Sequence, residues 1–119
     1  MILTIATTTL FIALNLARRP EIPLKSNLLL NQVAEVRCRE LAEWSHNGWL
    51  KYTPKIFKKY NYAGENLALN FTDATSTLKA LENSLTHKSN NHSKNYTHVG
   101  IANCNNKVGN VGVFIFAGK

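Results

Sequence analysis

An α+β fold is what the order of patterns in this sequence predicts, with helices first and strands last. Apolar residues recur at helical spacing in Leu10, Ala13, Leu14 and Ala17, and again in Ala34, Cys38, Leu41 and Ala42. Two β-rich runs, "THVGIANC" and "NVGVFIFAG", close the chain with Asn, Asn and Gly between them, which suggests neighbouring antiparallel strands. The 119 residues are 45% hydrophobic. They fit a single domain, 1–119, that buries roughly 65% of the surface its unfolded form exposes.

The first helix is expected over about 8–19, stopped by Pro20. "MILTIATTTLFIALNLARRP" also invites reading as a leader, but it lacks a basic n-region and a clean small-x-small cleavage site. The helix is the preferred reading, so no convincing signal peptide is visible. The stretch is too Thr-rich and too short to span a bilayer. "PEIPLKS" is a proline-set connector, and Ser26 or Asn27 caps a second helix running to about Trp44. Its Glu35/Arg39 pair, and Glu43 with Arg39, are surface ion pairs worth a few tenths of a kcal/mol.

From His46 to Tyr62 there is no sustained period and Pro54 interrupts, so a long ordered loop is expected. Gly64 to about Phe71 reads as a short third helix. Glu65 falls in its first turn, where free amides and the helix dipole favour a carboxylate by about 0.3–1 kcal/mol. Gly64 lets the backbone turn sharply before it. Thr72 or Asp73 caps a fourth helix ending near Ser84, with Leu78 and Leu81 inward. "HKSNNHSKN" reads as a polar loop, and His92 and His98 as surface residues.

Fourteen Lys plus Arg against seven Asp plus Glu give a formal charge of +7, which favours anionic partners. The loop "KYTPKIFKKYNY" mixes rings with lysines as single-strand binders do, but its simpler reading is a solvated loop whose aromatics close the core. Cys38 and Cys104 show no zinc-site spacing, and one disulfide or two buried thiols both fit. The helical stripe holding Cys38 favours a small core residue over a bridge. Asn70, Asn91 and Asn95 open glycosylation sequons, meaningful only in a eukaryotic secretory pathway. P-loop, Rossmann and Gly-x-Ser-x-Gly signatures are absent.

Taken one at a time, His46, Glu65 and His87 have ordinary structural explanations. As a set, "SHNGW", "YAGENLA", "NSLTHKSNN" and "THVGIA" resemble, in order and spacing, the CAP superfamily, also called SCP-like. "LNLARR" resembles its opening Asn-x-x-Arg helix through Asn15 and Arg18, and "LLLNQVAEVRCRELAEWSH" its second helix leading to His46. Gly64, Glu65, Asn66, Leu67 and Ala68 match its Gly-Glu-Asn-[Leu/Ile]-Ala motif. "NSLTHKSNN" is similar to the bacterial Asn-Ser-Pro-x-His-x-x-Asn, placing His87 and Asn90.

This resemblance implies a three-layer α-β-α sandwich of CAP type with a small antiparallel sheet. It further implies a cleft of two histidines and one or two acids that holds zinc or another divalent ion. A second glutamate common in animal and plant members would fall near Ser84, and Glu82 lies half a turn away. Leu81 and Leu85 stand where tryptophan and proline are usual, Asn91 and His92 where an apolar pair is, and the eukaryotic disulfides are missing, which fits a bacterial-type or viral member.

The function expected is a binding module, extracellular or envelope-associated. Its metal site would be His46, His87 and Glu65, bordered by Gly64, Asn66, Glu82, Ser84 and Asn90. Its partner would be an anionic lipid, a sterol-like molecule, a peptide or another cell-envelope ligand. A metal-assisted hydrolase using the same three residues is the alternative, and a charge-driven nucleic-acid binder the weakest reading.

Overall fold

In the computed structural model, which describes residues 4–41, 46 and 48–119, helix α1 (Thr7–Ala17) leads to a two-residue strand β1 (Lys25–Ser26). Helix α2 (Leu28–Glu40), a 3-10 turn at Trp49–Lys51 and helix α3 (Thr53–Phe57) follow. Strand β2 (Tyr62–Leu69), helices α4 (Ala74–Glu82) and α5 (Leu85–His92), and strands β3 (His98–Asn106) and β4 (Gly109–Gly118) complete the chain. The sheet order is β1-β3-β4-β2, with β1 parallel to β3 and the other pairs antiparallel.

Strand β4 explains the architecture. Asn110 to Gly118 are all buried, so both faces need apolar cover and both edges need backbone partners. One face packs against α2 and α3 through Leu30, Val33, Ile56, Val113 and Ile115. The other packs against α1 and α4 through Leu10, Leu14, Leu78, Leu81, Phe114 and Phe116. Three layers, α-β-α, are the result. Helix α2 crosses β3 at Gly100, where a Cβ would overlap the backbone of Leu30 and Asn31; only glycine admits that approach.

The caps follow the sequence. Asn27 accepts from the Leu30 amide at 3.1 Å, and Asp73 from the Ser76 amide at 2.7 Å, which holds the Asp73 carboxyl below its usual range. Glu35 and Arg39 pair on the surface at 3.7 Å. The first helix ends at Ala17 rather than 19, and α2 at Glu40; the expected extension to Trp44 lies outside the described residues beyond Leu41.

Four expectations change. The stretch from Gly64 is not a helix but β2, because β4 needs a partner for its second edge and the register Glu65↔Ile115, Leu67↔Val113 supplies one. Glu65 therefore caps nothing, and Gly64 sits within a strand rather than at a turn. The polar loop is largely α5, which has no apolar period for a sequence reading to find and buries only Asn91. The loop after His46 contains the 3-10 turn and α3, the latter started by Pro54 in its first turn. Cys38 is buried on the helical stripe as expected, yet it is bonded to Cys104 of β3 directly beneath. Burial on a stripe and bridging are compatible when the facing strand offers the second sulfur.

Candidate functional site

Strand β2 is an edge strand, and its alternation sends Glu65 to the α2 side and Asn66 to the α5 side. Glu65 is 1% exposed in its side chain. A lone carboxylate so placed would be very unfavourable. It is met by Arg37 of α2, whose Nε donates to Oε2 at 2.8 Å and whose Nη2 donates to Oε1 at 3.2 Å. His46 Nδ1 lies 2.8 Å from the same Oε1, and 56% of the His46 side chain is exposed. Both carboxylate oxygens are thus engaged by a guanidinium and an imidazole.

On the opposite face Asn66 is fully buried in a lattice of amides. Its Nδ2 donates to the His87 carbonyl and to Asn91 Oδ1, both at 3.0 Å, and its Oδ1 accepts from Asn90 Nδ2 at 2.8 Å. Asn90 also donates to the Glu65 carbonyl at 3.3 Å. This stitching fixes α5 along β2 and sets His87 at the strand's edge. Burial pushes the His87 imidazole below its ordinary value, and the nearby His46 pushes it the same way. His87 is therefore neutral at pH 7, a free base with a lone pair to offer. His46, bonded to Glu65 of β2, and His87, whose carbonyl accepts from Asn66 of β2, are both tied to that edge strand.

Gly64 has a packing reason. A Cβ there would overlap the Tyr96 hydroxyl, whose ring stacks on Phe116 with centroids 5.3 Å apart. Ser84 stands at the N-cap position of α5 without a side-chain capping bond, and its Oγ lies 3.3 Å from Thr86 Oγ1. Glu82 turns away from Glu65 as well. Its Oε1 lies 2.6 Å from His92 Nε2, its Oε2 accepts from Asn91 Nδ2 at 3.0 Å, and Glu21 Oε2 meets His92 Nδ1 at 3.1 Å. His92, expected on the surface, is instead half-buried between two acids. Asn91 is fully buried, which bars glycosylation there.

Two cations lie on apolar stripes, and sequence reasoning named Arg18 but missed Arg37. Arg37 follows Val33 and precedes Leu41 at helical spacing, so it points inward and must find an acid. Arg18 continues Leu10 and Leu14, and its guanidinium donates to the carbonyls of Ile22, Asn91, Ser93 and Tyr96. Asn15 exchanges both its amide groups with the Leu24 backbone, so the Asn15/Arg18 pair clasps the connector after α1. In the aromatic-basic loop Tyr52 and Tyr60 are buried and close the core, while Phe57 and Tyr62 are exposed.

Glu65 with both oxygens taken does not fit as a direct metal ligand, and among the described residues no three His, Cys, Asp or Glu converge to hold one. The donor set fits a different arrangement. An imidazole that donates Nδ1–H to a buried carboxylate presents Nε2 as its lone-pair atom, the usual outer support of a metal-binding histidine.

No family model and no curated protein matches the sequence. Solved structures do. An outer surface protein of Borrelia burgdorferi superposes with a TM-score of 0.84 at 18% identity, over 100% of this chain and 99% of that one. An extracellular protein containing an SCP domain from Bacillus anthracis gives 0.80 at 20% identity, over 94% of this chain and 40% of its own. Venom allergen-like protein 4 of Schistosoma mansoni gives 0.72 at 13% identity, over 93% and 86%. The fold is that of the SCP/CAP proteins. The chain spans about two fifths of the length of the Bacillus chain, and no described helix is long and apolar enough to cross a membrane.

Proposed function

We propose that this SCP/CAP domain works outside the cytoplasm as a binding module. Its cleft at the edge of β2 takes a divalent cation, zinc by donor chemistry, on His46 Nε2 and His87, next to a lipid, peptide or other cell-envelope ligand. The observation that carries the reading is the 2.8 Å contact between His46 Nδ1 and buried Glu65, with a neutral His87 at the same edge. Glu65 serves as the outer support and Arg37 fixes Glu65. A bound zinc ion would supply Lewis acidity at that point. Two protein ligands make a weak, exchangeable site.

The compartment is inferred from two supports. Disulfides persist in oxidising surroundings, and Cys38–Cys104 joins two layers of the fold. The structural neighbours carry extracellular and outer-surface names. Binding is preferred to hydrolysis because Glu65, the expected base, is buried and already bonded by Arg37 and His46, which leaves an attacking water little access to it.

Native mass spectrometry of the intact chain with zinc tests the proposal. One adduct should form, leave with a chelator, vanish in the double variant His46→Ala/His87→Ala, and weaken about 10–100-fold in Glu65→Gln. An adduct that survives the double variant would refute it.

A further inference from the structure

Beside the α1–β1 connector one imidazole meets two acids, and it can bond both only while it is doubly protonated. His92 ends α5, with Nε2 2.6 Å from Glu82 Oε1 and Nδ1 3.1 Å from Glu21 Oε2. Ionised carboxylates have no proton to give, so each of these contacts needs an N–H from the ring. Loss of one ring proton leaves a lone pair facing a negative oxygen in a half-buried place. One of the two acids must then turn away.

The surroundings select Glu21. Glu82 stands at the end of α4 and is held from a second side, since its Oε2 accepts from Asn91 Nδ2 at 3.0 Å. Glu21 has no other side-chain hydrogen bond among the described residues, and its contact with His92 is the longer of the two. It lies in a strap, residues 20–23, that belongs to no helix or strand. Ile22 is 82% exposed, so no apolar burial holds the middle of that strap. Its other ties are two bonds to Arg18: the Glu21 amide donates to the Arg18 carbonyl at 3.0 Å, and Arg18 Nε donates to the Ile22 carbonyl at 2.7 Å. The rest of the guanidinium is engaged by the carbonyls of Asn91, Ser93 and Tyr96, so it does not replace the lost partner of Glu21. Lys94, exposed between α5 and β3, attracts the Glu21 carboxylate and offers it a partner at the surface. The bond to Glu82, then that to Glu21, raises the His92 pKa above its ordinary 6.5, which puts the release on the alkaline side of that value.

We propose that His92 is a proton-operated latch on this strap: when Nδ1 gives its proton to solvent, Glu21 turns outward and the strap opens, while Nε2–H stays on Glu82. Pro20, Ile22 and Pro23 line a hollow of about 900 Å³ that Tyr60 and Tyr96 line as well, so the latch sets access to that space. Neither His46 nor His87 belongs to the latch, and this proposal and the cation cleft can fail separately.

The test is nuclear magnetic resonance of the full chain from pH 5.5 to pH 8.5. The His92 ring should titrate with a midpoint above 6.5, and the Glu21 and Ile22 amides should shift with that same midpoint. Protection of the Glu21 amide against exchange with water, corrected for the intrinsic pH dependence, should fall about tenfold over this range. The Asn83 amide, bonded within the end of α4, should keep its protection. In Glu21→Gln the fall should vanish, because a neutral amide has N–H groups to give to an unprotonated ring. His92→Gln should remove it too. His98→Gln should leave it unchanged, for His98 lines the same hollow but bonds Thr97. The proposal is overturned if the His92 midpoint lies at or below 6.5, or if the ring titrates while Glu21 protection stays level. It is equally overturned if the fall survives in Glu21→Gln, disappears in His98→Gln, or occurs at Asn83 in place of Glu21.

Discussion

Two clusters in this molecule pair carboxylates with histidine, and they are built in opposite ways. At the edge of β2 the acid is sealed and the imidazole is open. Glu65 is buried against Arg37, while His46 keeps one nitrogen on it and more than half of its side chain in solvent. In the second cluster the imidazole is the enclosed member, with Glu82 on one nitrogen and Glu21 on the other. An ionised carboxylate only accepts, so His92 satisfies both acids by carrying a proton on each nitrogen. The first cluster has a nitrogen to give to a ligand. The second has none, and works as a clasp joining the α1–β1 connector, α4 and α5.

That contrast can be broken at three points, from the largest expected effect to the smallest. Arg37→Ala should destabilise the domain by about 3–5 kcal/mol in urea unfolding, because it strands the Glu65 charge in the interior. If the loss were only a few tenths, the sealed half of the comparison would be wrong. Gly64→Ala places a methyl where the Tyr96 hydroxyl lies, and should cost about 1–3 kcal/mol while shifting the Tyr96 ring signals. That measurement asks whether β2 packs tightly against the Tyr96 ring.

The third point is pH. The hydrogen bond to Glu82, then that to Glu21, raises the His92 pKa above its ordinary 6.5. The clasp's contribution through His92 is therefore whole below about pH 6.5 and fades as pH rises through the raised value. Glu21, held below its ordinary 4.5 mainly by the His92 bond, keeps its contribution above that pH and loses it as acid brings pH through the lowered value. The unfolding temperature at pH 5.5 minus that at pH 8.5 should be lower, or more negative, for His92→Gln than for the parent chain. His87 acts with the opposite sign, since its pKa is depressed and stability is lost on its protonation, so the comparison must be between the two proteins.

Legibility followed the range of the forces. Asn27 and Asp73 were readable as caps because a cap bonds an amide within three residues. Strands β3 and β4 were readable because their apolar runs leave no helical alternative. Strand β2 was not, for "GENLALN" carries no strong strand signal, and it is extended because β4 required a second neighbour. Helix α5 was missed since its inner face is amide rather than hydrocarbon, held by Asn66 and Asn91. Arg37 could have been found: a cation on the Val33/Leu41 stripe signals a buried acid somewhere else in the chain.

The sequence by itself determined the caps of α2 and α4, the closing hairpin, the basic charge, and which four motifs stand in register along the chain. Only the tertiary structure decided what those residues face. It turned Glu65 from a cap into a clamped support, drew Glu82 away to His92, and joined Cys38 to Cys104. Local bonds are written in neighbouring residues, whereas the partner of a buried charge is chosen by whichever layers the sheet brings face to face.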